Sequence, residues 1–319
     1  MNMINVTREF DTEDKCFDYL EQMRWPNGVA CIGCGSVKVS RITREAKSKN
    51  KRTRLYQCLE KECGHQFSPT AGTIFADTHL PLKTWFMAIA LICEAKKSLS
   101  ACQLQRHLGL GSYRTAWHLA HRIRAAMAEH DMVLGGPAVE TDETYIGSRV
   151  RRPRHARPRT TKDEVVLGMV ERHGGRLKLI PVPDTKSEIL RPHLEKHIAE
   201  SVGTIYSDEH AIYVFALKGK FPGKHQTINH SKTYAMGDVY TNTIENAFSL
   251  FKKGLYGSFH HVSKKHLARY CDEFSYRFNR RKEQPQLFEE TTKSLLRGQT
   301  LPYRELVQTN PANSDASDR

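Results

Sequence analysis

The stretch VETDETYIGSRVRRPRHARPR, Val139–Arg159, runs a short acidic segment straight into a dense block of arginine. Its first half interleaves valine, threonine, tyrosine and isoleucine with carboxylates, the pattern of a half-buried β-strand. Alternation along a strand sets Glu140 and Asp142 on one face and Glu143 on the other. Carboxylates repel phosphate and arginines attract it. A site that holds cations against a nucleic-acid backbone needs both.

The residues after this stretch decide the fold class. EVVLGMVER (164–172) and RLKLIPV (176–182) read as strands, SEILRPHLEKHIAE (187–200) as a helix, and GTIYSD (203–208) as a strand. EHAIYVFALKG (209–219) then reads as a helix and HQTIN (225–229) as a strand. Two long helices close the run, TNTIENAFSLFKKGLYG (241–257) and SKKHLARYCDEFSYRFNRRK (263–282). Three strands followed by alternating helices and strands predict an α/β domain with a mixed sheet over 137–285. In the first long helix Ile244, Ala247, Phe248 and Phe251 form an apolar stripe. Glu245, Ser249 and Lys252 stack on the adjoining face, since seven residues is nearly two turns. In the second, Leu267, Tyr270, Phe274 and Phe278 form the stripe, flanked by Lys264, Lys265, Arg269, Arg277, Arg280 and Arg281.

Upstream, the cysteines organise the chain. Five of eight fall before residue 76, and four are paired as Cys31-Ile-Gly-Cys34 and Cys58-Leu-Glu-Lys-Glu-Cys63. Two tight turns donating two thiolates each make a tetrahedral zinc site, and Gly35–Gln57 has room for two strands. This outlines a zinc ribbon over 15–75. The wider second spacing leaves His65 as an alternative fourth ligand. Cys16, Cys93, Cys102 and Cys271 are scattered. Residues 76–132 read as helical: LPLKTWFMAIALICEAKK, then two short helices separated at Gly111, with Ser112 capping the second. That second helix has the stripe Ala116, Leu119, Ala120, Ile123 and Met127, with Arg114, His118, His121 and Arg122 elsewhere, which suggests a helix-turn-helix. Residues 286–319 are left as a C-terminal tail ending in the polar TNPANSDASDR.

The net charge of +14 favours a polyanionic partner, most simply nucleic acid. The longest apolar run, Trp85–Cys93, is nine residues and too short to span a membrane. The N-terminus lacks the apolar core of a signal peptide, so a cytoplasmic, nucleoid-associated protein is expected.

Three carboxylates stand where a sheet can gather them: Asp142 in the first strand of the α/β region, Asp208 at the end of its fourth, and Glu245 early in a helix. Each has a plainer reading. Glu140 is a rival ligand on the face of Asp142. Asp208 can begin the following helix. Asn242 with Glu245 can form a capping box.

VETDETYIG, IYSDEHAIY, the long YTNTIENAFSLFKKGLYGSFHHVSKKHLARYCDEFSYRFNRR and the early CIGCGS, YQC and CGHQFSPTAGTIF together resemble the DDE-type transposases of a prokaryotic insertion-sequence family. That family joins an N-terminal zinc ribbon to an RNase H-like catalytic domain. The resemblance implies two magnesium or manganese ions about 4 Å apart at the catalytic centre and a structural zinc ion in the ribbon. It places the family's first two aspartates on Asp142 and Asp208. The third member falls in NTIEN, where Glu245 is the better ligand for a hard cation and Asn242 the rival. The basic position that follows falls on Lys252, with Lys253 adjacent. The implied reactions are strand cleavage at transposon ends and strand transfer into target DNA, with assembly of a homo-oligomer on double-stranded DNA. Arg149, Arg151, Arg152, Arg154 and Arg157 would clamp the duplex beside the metals, and Arg114 and Arg122 would contact it from the helical region. A non-catalytic or domesticated zinc-ribbon DNA-binding protein is the alternative.

Overall fold

The computed structural model describes residues 1–42, 54–147, 164–228 and 241–308. The arginine block, including Arg149, Arg151, Arg152, Arg154 and Arg157, lies outside the described residues. The chain divides into two compact units, residues 1–94, 101–126 and 284–319, and residues 95–100 and 127–283.

The first unit begins with helices α1 (Met3–Glu9) and α2 (Glu13–Arg24), followed by a small antiparallel sheet of β1 (Val39–Ile42), β2 (Leu55–Cys58) and β3 (Gln66–Phe67). Glycines with positive φ, Gly35 and Gly64, follow Cys34 and Cys63 and turn the chain so that both cysteine pairs face one point. Helices α3 (Leu82–Glu94), α4 (Ala101–Leu108) and α5 (Tyr113–Ala126) follow. The sequence put the break between α4 and α5 at Gly111. The residue in the left-handed region is Gly109, at φ +61°, and Leu110 N–H donates to the Gln105 carbonyl at 3.0 Å. Helix α4 therefore stops two residues earlier, in a glycine-terminated Schellman turn. Ser112 does cap α5, accepting the Thr115 N–H at 3.1 Å.

The second unit carries a five-stranded mixed sheet of β4 (Ala138–Ile146), β5 (Glu164–Glu171), β6 (Leu177–Val182), β7 (Thr204–Asp208) and β8 (His225–Ile228), in the order β6-β5-β4-β7-β8. β4 pairs with β5 antiparallel and with β7 parallel. Helices α6 (Ser187–His197) and α7 (Ala211–Leu217) pack on one face over Val139, Leu167 and Ile205. Helices α8 (Asn242–Gly254) and α9 (Lys264–Asn279), joined through a π-helical turn at Leu255–Phe259, cover the other over Val166, Val170 and Leu179. The predicted stripes are the buried ones: Ile244, Ala247, Phe248 and Phe251 in α8, and Leu267 and Tyr270 in α9, with Phe274 and Phe278 packed alongside. The mixed α/β architecture behind a ribbon and a helical region is the one the sequence predicts.

The chain then returns to the first unit with α10 (Gln284–Arg297) and α11 (Tyr303–Val307). The sequence treated 286–319 as a tail. Instead Leu287, Phe288 and Leu295 are buried, and Phe288 joins an aromatic cluster with Phe10, Tyr19 and Phe86. Among the described residues no helix is long and apolar enough to cross a membrane.

Candidate active site

The register of the sheet sets the first two carboxylates. Glu140 on β4 lies opposite Tyr206 on the parallel β7. Two residues further along each strand are Asp142, midway along β4, and Asp208, the last residue of β7, side by side on the same face of the sheet. On its other side Asp142 lies opposite Gly168 of β5. Gly168 is what admits α8. A Cβ there would come within 2.6 Å of Phe248 Cζ and 2.7 Å of Ile244 Cδ1. The missing side chain lets α8 seat directly over the strand, and that contact brings Glu245 beside Asp142.

Glu140 has a different role from the ligand the sequence allowed. It is fully buried, and its Oε1 accepts from Arg172 Nε at 2.8 Å. Arg172 in turn stacks on the Tyr206 ring, 3.6 Å from its centre. The second oxygen, Oε2, accepts the Ile244 N–H at 2.9 Å. That N–H is one of the orphan donors at the start of α8. The capping box expected of Asn242 and Glu245 does not form. Asn242 is the first helical residue, Thr241 precedes it without a side-chain cap, and Glu140 from the sheet supplies the acceptor. Glu140 thus anchors the helix while Glu245 stays exposed.

A cavity of about 560 Å³ opens over this region, lined by Asp142, Glu143, Thr144, Glu245, Phe248, Ser249, Lys252, Lys253 and Tyr256. The face Glu245, Ser249 and Lys252 is the one periodicity singled out. Asn242 is not in the lining. Asp208 is outside it too, but its charge acts on Asp142. The Asp142 carboxyl is pushed up to about 8, by burial first and then by the negative charges of Glu143, Asp208 and Glu245. The Glu143 N–H, 2.8 Å from Asp142 Oδ1, opposes that rise. Burial lowers the Lys252 ammonium, and the field of Asp142 works against it. Glu143 points to the opposite face, where Tyr213 O–H donates to it at 2.7 Å. Asp208 does not begin the following helix, the plainer reading: α7 has His210 as its N-cap residue, without a side-chain cap, and Asp208 Oδ1 accepts the His210 N–H at 3.1 Å in the turn before it. The acidic oxygens are not drawn into a tight cluster. Among the described residues the only such cluster is the four cysteines.

In the first unit the ligand atoms of Cys31, Cys34, Cys58 and Cys63 lie within 4.8 Å of one another. Cys31–Cys63 and Cys34–Cys58 are 3.7 and 3.6 Å apart. A tetrahedron with Zn–S bonds of about 2.3 Å has edges of about 3.8 Å, so the set fits a structural zinc ion. His65 is exposed and stacks on Phe67 outside this set.

Several basic residues are spoken for. Arg122, expected to meet DNA, is 5% exposed, donates to the Ile74 and Ala76 carbonyls and lies over the Trp85 ring. His121 is buried as well. A buried guanidinium that ties a loop to its helix is not a phosphate ligand. Arg114 is exposed and stacks on Tyr303, 3.9 Å from the ring centre. On α9, Arg277 is buried, paired with Glu273 at 3.2 Å and bonded to Ser98 Oγ at 2.6 Å, while Arg280 pairs with Glu129 at 2.8 Å. The sequence gave no sign of Gly168, Arg172 or Tyr256. Only the sheet register and the helix contact single them out.

Residues 133–279 match the ISXO2-like transposase domain, and residues 11–66 match the transposase zinc-ribbon domain. The chain also aligns with an uncharacterized protein in transposable element ISH50 of Halobacterium salinarum, 26% identical over 283 residues, covering 85% of this chain and 92% of the relative. The chain therefore joins an N-terminal transposase zinc ribbon to an ISXO2-like DDE transposase domain.

Proposed function

We propose that this protein is a DNA transposase whose second unit cleaves strands at the ends of its element and joins them to target DNA. The observation that carries this reading is the carboxyl of Asp142, half-buried midway along β4 among the charges of Asp208 and Glu245, with Lys252 on the same cavity wall. Carboxylates gathered in this way are a hard-cation donor set. Asp142, Asp208 and Glu245 would hold two magnesium or manganese ions. Bound there, the ions supply Lewis-acid stabilisation of the attacking and leaving oxygens in an in-line displacement at phosphorus.

The chain's own residues do the rest. Gly168 and Glu140 fix α8 so that Glu245 approaches Asp142. The sequence alternative, Asn242, is less favoured, because it sits one turn back and outside the cavity lining. Lys252 and Lys253, on the cavity wall, hold the backbone phosphates of the reacting strand. Ordering of the ribbon by its zinc ion and the exposed Arg114 serve DNA binding in the first unit. Arg149, Arg151, Arg152, Arg154 and Arg157 complete the basic arm from the sequence alone. Action on paired DNA ends as a homo-oligomer follows from the transposase reading.

The test supplies DNA carrying the ends of the element, magnesium and a target duplex. The proposal expects nicked or excised ends and covalently joined product. Cleavage without joining would reduce the protein to a nuclease. Tight binding with no cleavage in magnesium or manganese would favour the non-catalytic DNA-binding protein.

A further inference from the structure

A second cavity, about 540 Å³, adjoins the first in the same unit, and Tyr256 lines both. Its walls are largely apolar, from Ile146, Leu255, Val262 and the Tyr256 ring, the Glu164 carboxylate also lines it, and its rim carries His260, His261 and Lys264. Lys264 is 3.3 Å from Glu164, which takes up part of its charge, yet its side chain is 67% exposed. The backbone that shapes this cavity is unusual. Leu255–Phe259 is a π-helical turn closed by the His260 N–H to the Leu255 carbonyl at 3.1 Å. His260 sits at φ 60°, ψ −48°, a left-handed region that a β-carbon disfavours. Such conformations are disfavoured and persist only where the surrounding structure holds them. Here the turn aims two imidazoles at the mouth of an apolar slot.

We propose that this cavity receives one unstacked nucleotide of the DNA strand being processed, its base between Tyr256 and the aliphatic wall and its phosphate at the His260, His261 and Lys264 rim. The assignment rests on the DNA-processing reading above. Three features select this ligand. The volume suits a single nucleotide, within the range of small-ligand pockets of about 300–1,000 Å³. A base offers a flat apolar face with polar edges, and stacking on an aromatic ring accepts any base. Tyr256 stands between the slot and the cavity of Asp142 and Glu245, so a base placed in the slot would leave the adjoining phosphodiester near the carboxylates. Extruding a base costs least where it is already unpaired.

The experiment compares binding of the full-length, zinc-loaded protein to a 30-base-pair duplex and to the same duplex with one extrahelical adenine, by fluorescence anisotropy with calcium in place of magnesium. Stacking of one base at about 1–3 kcal/mol predicts about 5- to 150-fold tighter binding of the bulged duplex. Val262→Trp, which fills the slot, should abolish the preference while leaving affinity for the paired duplex within twofold. His261→Trp, which blocks the mouth of the slot from an exposed position, should also abolish the preference. Equal affinity of the wild type for the two duplexes, or a preference that survives both substitutions, would overturn the nucleotide slot and leave the transposase reading standing. Failure to bind either duplex would instead remove the DNA-processing reading on which the slot depends.

Discussion

Replacing Gly168 with alanine tests how α8 delivers Glu245. The added methyl would meet Phe248 Cζ at 2.6 Å and Ile244 Cδ1 at 2.7 Å. Carbon atoms in contact prefer about 3.5–4.0 Å, so the helix must retreat by about 1 Å or both side chains must leave their rotamers. Overpacking of this kind costs about 1–3 kcal/mol. A displacement near 1 Å at a catalytic group costs about 100-fold in rate. Gly168→Ala should therefore lose about 100-fold in end cleavage while retaining most of its stability, measured by cleavage kinetics and urea unfolding side by side. Phe248→Leu in the same chain removes the closest clash and should restore part of the rate. Gly111→Ala, where a methyl meets nothing within 4 Å, is the silent control. Wild-type cleavage by Gly168→Ala would refute the close seating of α8 as the device that positions Glu245.

Other consequences follow from the same geometry. With its folded pKa raised to about 8, Asp142 favours the native state most below about pH 4, and that contribution is lost as pH rises through about 8. Asp142→Asn should thus stabilise the metal-free protein by up to about 4 kcal/mol at pH 7 and flatten its pH dependence, read by urea melts in EDTA. Unchanged stability at pH 7 would mean that the carboxylate is better solvated than the structure shows. Arg172→Met leaves Glu140 buried without its cation and should cost about 3–5 kcal/mol, with Glu140→Gln added to it recovering part of the loss in the same melts. Cys34→Ser should lower bound zinc from about one equivalent towards none by elemental analysis, whereas Cys102→Ser, at an exposed cysteine outside the cluster, should not.

Much of this was legible in one sequence, for reasons that differ by element. The stripes of α8 and α9 follow from a 3.6-residue period, which survives into three dimensions because each helix buries one face. The thiolate turns were legible because their ligands are local, although the four-residue gap of the second pair left His65 open. What depended on long-range register was not legible. The alignment of Asp142 with Asp208 needs parallel pairing of β4 with β7. The fate of Glu140 is set by Arg172 and by the Ile244 N–H, 32 and 104 residues away. An arginine in a helix reads as surface, so the burial of Arg122 against the 74–76 loop had no local sign. The burial of Leu287, Phe288 and Leu295 in α10 did have one, in the amphipathic run QLFEETTKSLLR, masked by the polar end that follows it.

The central claim is that Asp142, Asp208 and Glu245 form one metal-dependent centre. The measurement that tests it most directly is end cleavage in magnesium and manganese by Asp142→Ala, Asp208→Ala, Glu245→Gln and Asn242→Ala, with DNA affinity determined on the same preparations. The first three should bind ends like the wild type and not cut, while Asn242→Ala should still cut. Loss of cleavage in Asn242→Ala with Glu245→Gln still active would contradict it, and would move the third member one turn back along α8.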